Sequence, residues 1–270
     1  MVNNKIDILA MESLDDSLFP YVVKETKKHF PEAIYDQSGI RIRLTNGNYI
    51  YILNAREYNT KENLHILTIG YSMNDAVPKT EIRRVIDKGL ENGALIVLDH
   101  PFIDNGKTRT AGHISEELEQ ELEEICKEYS GQITLEWNGY CIPWMRRVLK
   151  FGLNALTNIK PHIKYHDVNK RVEKLSEALR KQGYNVPVVA DTDLHARTKI
   201  DLKNIGTSRI ITPVEGEAEG ATPREVIKSM RRNIFIGDYR NIKRYVSFFH
   251  LLKAFCVPMI FQGYFDRPRG

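Results

Sequence analysis

An α/β fold, a barrel of parallel strands wrapped by helices, is predicted by three features of the chain. Short apolar runs alternate with segments of helical periodicity, the pattern of strand–helix–strand units joined by right-handed crossovers. Ala94-Leu-Ile-Val-Leu98 is apolar without interruption, as in a parallel strand covered on both faces. Several predicted strands end in acids and imidazoles, which favours a barrel over an open sheet because barrel active sites sit at strand ends.

In order along the chain, Lys5 to Ala10 reads as a short buried strand and Ser17 to Phe30 as a helix. Ile40–Leu44 and Tyr49–Leu53 flank Asn46-Gly47-Asn48, and Asn-Gly supplies the positive φ of a tight hairpin. His65 to Gly70 is a further strand. Thr80 is placed to cap a helix with Ile82, Val85, Ile86 and Leu90 on one face, and Gly93 to stop it. Ser115 caps an acidic helix that turns Leu118, Leu122 and Ile125 inward. Ile133 to Trp137 is a strand, Asn169 to Gln182 a helix with Val172, Leu175 and Leu179 inward, and Val186 to Ala190 a strand. Arg209 to Thr212 is a strand and Pro223 to Arg232 a helix. Residues 1–240 are read as the barrel. Residues 241–270 are an aromatic tail packed on it, since Lys253 and Pro258 spoil membrane insertion.

With 270 residues, 42% hydrophobic and 27% charged, the chain has the composition of a soluble globular protein with a full core. The net charge of +4, spread along the sequence, suits a small phosphorylated substrate and disfavours nucleic acid, which usually leaves a denser basic stripe. Cys126, Cys141 and Cys256 are odd in number and lack CxxC spacing, so a reducing cytoplasm is expected. The polar start, Met1-Val-Asn-Asn-Lys, does not read as a signal peptide, and no apolar run reaches spanning length. A homo-oligomer remains open, and no membrane partner is expected.

Chemistry concentrates in four places: Asn54-Ala-Arg-Glu57 with His65 beyond it, Asp99-His100-Pro101-Phe102, Leu135-Glu-Trp-Asn138, and Thr192-Asp193-Leu-His195-Ala196. Carboxylates and imidazoles gathered at strand ends are the donors a divalent metal needs. The order and spacing of these fragments, with His65-Ile-Leu-Thr-Ile-Gly70, resemble the PHP (polymerase and histidinol phosphatase) family over Lys5 to roughly Phe235. That family is a distorted (β/α)7 TIM-like barrel whose members use clustered divalent metals to hydrolyse phosphate esters. The resemblance breaks at the start of the chain. Lys5–Glu12 lines up with the first strand so that Leu9 and Met11 occupy two His positions, and Ala33–Gln37 lines up with the second so that Gln37 occupies another.

The resemblance then implies one whole metal site from Glu57, His65 and His100, with Glu57 the bridging carboxylate. A second site would use Glu57 and Asp193 with the imidazoles replaced by Leu9 and Met11. A third would use Asp16 and His195 with the imidazole replaced by Gln37. Glu12, Asp16 and Asp36 are acids open to replacing a missing ligand. One divalent ion (Zn, Mn or Fe) is therefore expected, with Asp193 and His195 as catalytic groups that orient or deprotonate water or protonate the leaving alkoxide. Arg56, Arg109 and Arg197 are the candidate phosphate contacts, because guanidinium groups bind phosphate oxygens in pairs. Glu136, Asn138 and Asp99 are expected to brace the barrel or orient the histidines, and Asp191 is read as structural, facing the other way. The expected function is hydrolysis of the phosphate ester of a small metabolite or nucleotide. The alternative is a catalytically inactive PHP-like barrel serving as a binding or assembly module, with Leu9 and Met11 packed where metal was abandoned.

Overall fold

A computed structural model describes residues 6–13, 18–73, 79–103, 114–139, 141, 167–192, 207–214 and 221–247. Asp16, Arg109, Asp193, His195, Arg197 and most of the 241–270 tail lie outside the described residues. Among the described residues the fold is a mixed α/β structure with an eight-stranded sheet, a separate two-stranded sheet and five helices.

The first half is a mixed sheet. β1 (Ile6–Ser13) is followed by α1 (Leu18–His29), then β2 (Ile34–Asp36), β3 (Gly39–Arg43) and β4 (Tyr49–Asn59). The β3–β4 hairpin forms where Asn46-Gly47 demanded it. Gly47 takes φ 82°, its N–H donates to the Leu44 carbonyl at 2.9 Å, and Asn48 N–H donates to Asn46 Oδ1 at 3.0 Å. β4 serves two neighbours on one edge. Asn54 N–H donates to the Ser38 carbonyl at 2.9 Å while Asn54 C=O accepts from Gly70 N–H at 2.6 Å, so this residue is the hand-over from β3 to β5 (His65–Ile69). β1 pairs with β4 in parallel.

The second half follows the strand–helix pattern. α2 (Ile82–Glu91) leads to β6 (Leu95–Asp99), α3 (Glu116–Glu128) to β7 (Ile133–Asn138), and α4 (Val168–Lys181) to β8 (Val188–Asp191). β9 (Arg209–Ile211), α5 (Pro223–Ile236) and β10 (Arg240–Ile242) follow, with β9 and β10 paired antiparallel. β10 spans the 240/241 position where the tail was expected to begin, and Val246 N–H donates to Gly139 C=O at 3.0 Å.

One expectation is corrected. The sheet is not all parallel: β6–β7 and β7–β8 are parallel, but β4–β5 and β5–β6 are antiparallel. The short 60–64 connection returns the chain directly beside β4, and a parallel pairing needs a crossover of a dozen residues or more. Closure into a barrel is not seen among the described residues; the sheet path ends at β8.

Helix caps differ in detail. Glu81, not Thr80, is the N-cap of α2 and makes no side-chain cap bond; Glu62 Oε2 accepts from Ile82 N–H at 3.1 Å instead. Ser115 caps α3 as expected, accepting from Leu118 N–H at 3.2 Å. α5 carries a full capping box of Thr222 and Glu225 with Pro223 in its first turn.

Period-two alternation divides the sheet into two faces. Ile66, Ile96, Leu98, Ile133, Leu135 and Val188 pack under α2, α3 and α4. Tyr49, Tyr51, Leu53, Ala55, Leu67, Ile69, Leu95, Val97 and Val189 form the opposite face, covered by Val226, Ile227, Met230 and Ile234 of α5. Each fully buried aliphatic side chain contributes about 1.5–3 kcal/mol. No described helix is long and apolar enough to cross a membrane.

Candidate metal centre

The α5-covered face carries the polar cluster at one end. Glu57 continues the series Leu53, Ala55 on β4, His65 precedes Leu67 and Ile69 on β5, and Asp99 follows Leu95 and Val97 on β6. Because β5 runs antiparallel to β4 and β6, the first residue of β5 lies level with the last residues of its neighbours, and His65 pairs directly with Asp99.

His100 comes one residue too late for this face in an extended strand. The backbone turns at that residue with φ 29°, an uncommon value for a residue with a Cβ, and this swings the imidazole beside Asp99. The turn is held from below. His100 N–H donates to Glu136 Oε2 at 2.7 Å, and Asn138 Nδ2 donates to the same oxygen at 3.3 Å. Asn138 is clamped in turn by Asn169 of α4, whose Oδ1 accepts from its N–H at 3.0 Å and whose Nδ2 donates to its carbonyl at 2.9 Å.

The ligand atoms of Glu57, His65, Asp99 and His100 all lie within 4.8 Å of one another. His65 Nδ1 hydrogen-bonds Glu57 Oε1, and His100 Nε2 stands 3.2 Å from Asp99 Oδ2 and 3.7 Å from Glu57 Oε1. The two imidazoles are 4.8 Å apart between ring centres. Side-chain exposure is 12% for Glu57, 15% for His65, 12% for His100 and 6% for Asp99, so the cluster is shielded yet reachable. Burial acts to raise the pKa of Asp99. The His100 charge and hydrogen bonds with His100 and Glu136 outweigh it and hold the carboxyl below its ordinary value.

The three residues expected to share an ion thus meet, and Asp99, read beforehand as a brace, is among them. The signal for it was its even spacing from Leu95 and Val97 on β6. Glu136 and Asn138 are placed as supports of His100; Asn169 carries no sequence cue, since a polar residue in a first helical turn is commonplace.

Other expected positions fall differently. Parallel partners share a face, and β1 registers Leu9 with Ile52, Met11 with Asn54 and Glu12 with Ala55. The register positions on the face of Ala55 and Glu57 are therefore 8, 10 and 12, not 9 and 11. Gln37 is exposed in the β2–β3 turn, its carbonyl accepting from Asn54 Nδ2 at 3.1 Å. Asp36 accepts from Ser38 N–H at 2.7 Å and Gly39 N–H at 3.1 Å in that turn. Arg56 lies on the face opposite Glu57, where its Nη1 donates to the Met73 carbonyl at 2.8 Å and its guanidinium stacks 4.9 Å from the Tyr58 ring. Asp191 does not face away from the site side, because it lies two residues beyond Val189 and so shares its face.

No family model and no curated protein matches the sequence. Among solved structures the chain is similar to PsfC from Pseudomonas syringae PB-5123, with a TM-score of 0.51 and 15% identity over 94% of this chain and 84% of that one. That likeness is one of fold. Two others score lower. A two-domain protein from Bacteroides vulgatus ATCC 8482, containing a predicted PHP-like metal-dependent phosphoesterase, gives 0.46 at 10% identity over 88% of this chain. The lesion-specific endonuclease PfuEndoQ from Pyrococcus furiosus gives 0.44 at 16% identity over 87%. The chain spans 56% and 49% of those two proteins.

Proposed function

We propose that the chain is a PHP-type metal-dependent phosphoesterase acting on the phosphate ester of a small metabolite or nucleotide. The observation that carries this reading is the convergence of Glu57, His65 and His100, with Asp99, on one point at the strand ends. Two imidazoles with carboxylates suit Zn, Mn or Fe. The four ligand atoms lie within 4.8 Å of one another, close enough that one ion could be held among them. A divalent cation held there supplies Lewis-acid polarisation of a phosphoryl oxygen and acidifies water.

The chain's own groups do the rest. Glu57, His65 and His100 bind the ion, and Glu136 holds the His100 backbone so that its imidazole keeps its aim. Asp193 and His195 are proposed to orient or deprotonate the attacking water and to protonate the leaving alkoxide. With Asp16 they would also complete any further coordination. Arg197 and Arg109 are proposed to bind the phosphate oxygens. Arg56 would act by fixing the segment around Met73. The sheet is proposed to close into a distorted barrel.

A second reading, an inactive binding or assembly module, is favoured by one observation. Glu57 bonds His65 directly and His100 meets Asp99, so these polar groups can satisfy one another without an ion. Metal analysis of protein purified without chelator decides. About one ion per chain, lost in His100→Ala together with Mn²⁺-dependent hydrolysis of p-nitrophenyl phosphate, supports the enzyme; metal-free, inactive protein supports the module.

A further inference from the structure

With Glu57, His65 and His100 read as the ligands of one ion, we propose that Asn169, in the first turn of α4, is a positioning residue for that ion. It acts through Asn138 and Glu136 on the His100 imidazole, so a helix on one face of the sheet sets the aim of a ligand on the other. Asn169, Asn138 and Glu136 are each 1–2% exposed or less, fully shielded from solvent.

The strand pairing explains why a side chain is needed there. β6 and β7 keep their parallel register only as far as Leu98 and Leu135. Leu135 and Gly139 donate their N–H groups toward β8, to the Pro187 carbonyl at 3.0 Å and the Asp191 carbonyl at 2.9 Å. Peptide groups alternate in direction along a strand, so the N–H and C=O of Asn138 point the other way, to the side where β6 has ended at Asp99. The Asn169 amide stands in for the missing strand. Its Oδ1 accepts from Asn138 N–H at 3.0 Å, and its Nδ2 donates to Asn138 C=O at 2.9 Å. Buried peptide groups left unmatched there would be costly.

Asn138 carries the constraint across the sheet. Its side chain alternates with Leu135 and Trp137 of the helix-packed face and so lies on the metal side. There its Nδ2 donates to Glu136 Oε2 at 3.3 Å, and its Oδ1 accepts from Cys141 N–H at 3.2 Å. Glu136 Oε2 accepts in turn from His100 N–H at 2.7 Å. That bond holds a backbone at φ 29°, and a change in the angle would swing the imidazole away from Asp99 and Glu57. α4 reaches the same turn by a second route. The Arg171 guanidinium stands 4.3 Å from the ring centre of Phe102, and its Nη2 donates to Glu119 Oε1 at 2.5 Å. The first turn of α4 is itself fixed by its cap, Asp167 Oδ1 accepting from Lys170 N–H at 3.2 Å.

The test is zinc affinity and Co²⁺ absorption in the full-length chain. Zinc is titrated in competition with a chromophoric chelator, and the visible bands of bound Co²⁺ report the geometry of its donors. Asn169→Ala should weaken zinc binding by about tenfold or more and change the Co²⁺ spectrum. Leu179→Ala opens a cavity farther along the same helix, away from the relay. It should lower stability to urea yet leave zinc affinity and the Co²⁺ spectrum as they are in the unsubstituted chain. Asn138→Asp keeps the shape of the side chain but sets a carboxylate against Glu136, and should reproduce the effects of Asn169→Ala; it decides alone should Asn169→Ala not fold. Unaltered zinc affinity and Co²⁺ spectrum in either of these two variants, once folded, overturn the proposal. Equal changes in Leu179→Ala overturn it too, by tracing the effect to a general loss of rigidity. An unsubstituted chain that binds neither ion overturns the metal centre itself, and the positioning role with it.

Discussion

His100 combines two demands that conflict in most proteins, an imidazole aimed at the cluster and a backbone at φ 29°. Glycine tolerates that φ and alanine does not. His100→Gly and His100→Ala should both lose the metal, with His100→Gly the more stable by about 1 kcal/mol; equal stability in urea denaturation would show that the turn is unstrained. Glu136→Ala removes the acceptor for the His100 N–H and leaves a buried donor unmet, at about 1–3 kcal/mol. It should also weaken zinc binding tenfold or more, read by competition with a chromophoric chelator. Glu57, His65 and His100 were legible because each sits at a strand end with distinctive neighbours. The positive φ that brings His100 round was not, since Asp99-His100-Pro101 gives no glycine to announce it. Cys126 is a different case: burial pushes its thiol up to about 12. An acid whose folded pKa is raised adds stability below its unfolded value near 9 and loses it as pH rises through 12. Native protein at pH 8 should therefore leave Cys126 unalkylated by iodoacetamide, and urea should expose it.

At the scale of elements, the connection before β5 decides where the donors meet. The apolar run of β5 is visible in the sequence, but its direction is not, since period-two patterning is the same in parallel and antiparallel pairs. The five residues between β4 and β5 leave room only for a direct return, and that return carries His65 to the level of Glu57 and Asp99. The register of β1 was hidden in the sequence for a related reason. One residue of slip exchanges the two faces of a strand, and Leu9 and Met11 are apolar enough to suit either. Gly70 ties this sheet to α5. It takes φ 95°, its N–H donates to Asn54 C=O, and a Cβ there would stand 2.3 Å from Ile227 Cδ1. The isoleucine tip can move, but the backbone conformation remains wrong for an L side chain. Gly70→Ala should cost about 1–3 kcal/mol and slacken the β5–α5 contact, seen as faster amide exchange at Ile227 and Met230. Unchanged stability would mean that this junction relaxes freely.

Across the whole molecule, the two faces of the sheet divide the labour. One packs against three helices through a largely apolar surface, while the other is apolar beneath α5 and polar at the strand ends. This separates the acids and imidazoles of the strand ends from the apolar stretch beneath α5, which a net charge of +4 does not show. Composition alone could not reveal that separation, because it depends on which helix lies over which strands. An ion at the acidic end would bind only when β4, β5 and β6 are paired, since its ligands come from all three. Binding to the folded state alone stabilises by RT ln(1 + [L]/Kd), about 2.7 kcal/mol at a hundredfold excess over Kd. For a chain of this size that corresponds to a rise in Tm of roughly 5–10 °C. Zinc or manganese at saturating concentration should raise Tm by that amount over chelator-treated protein, and Glu57→Gln or His100→Ala should abolish the rise. A Tm that ignores both metal and chelator would leave the cluster as a self-satisfied polar network, and the fold would then be serving assembly rather than hydrolysis.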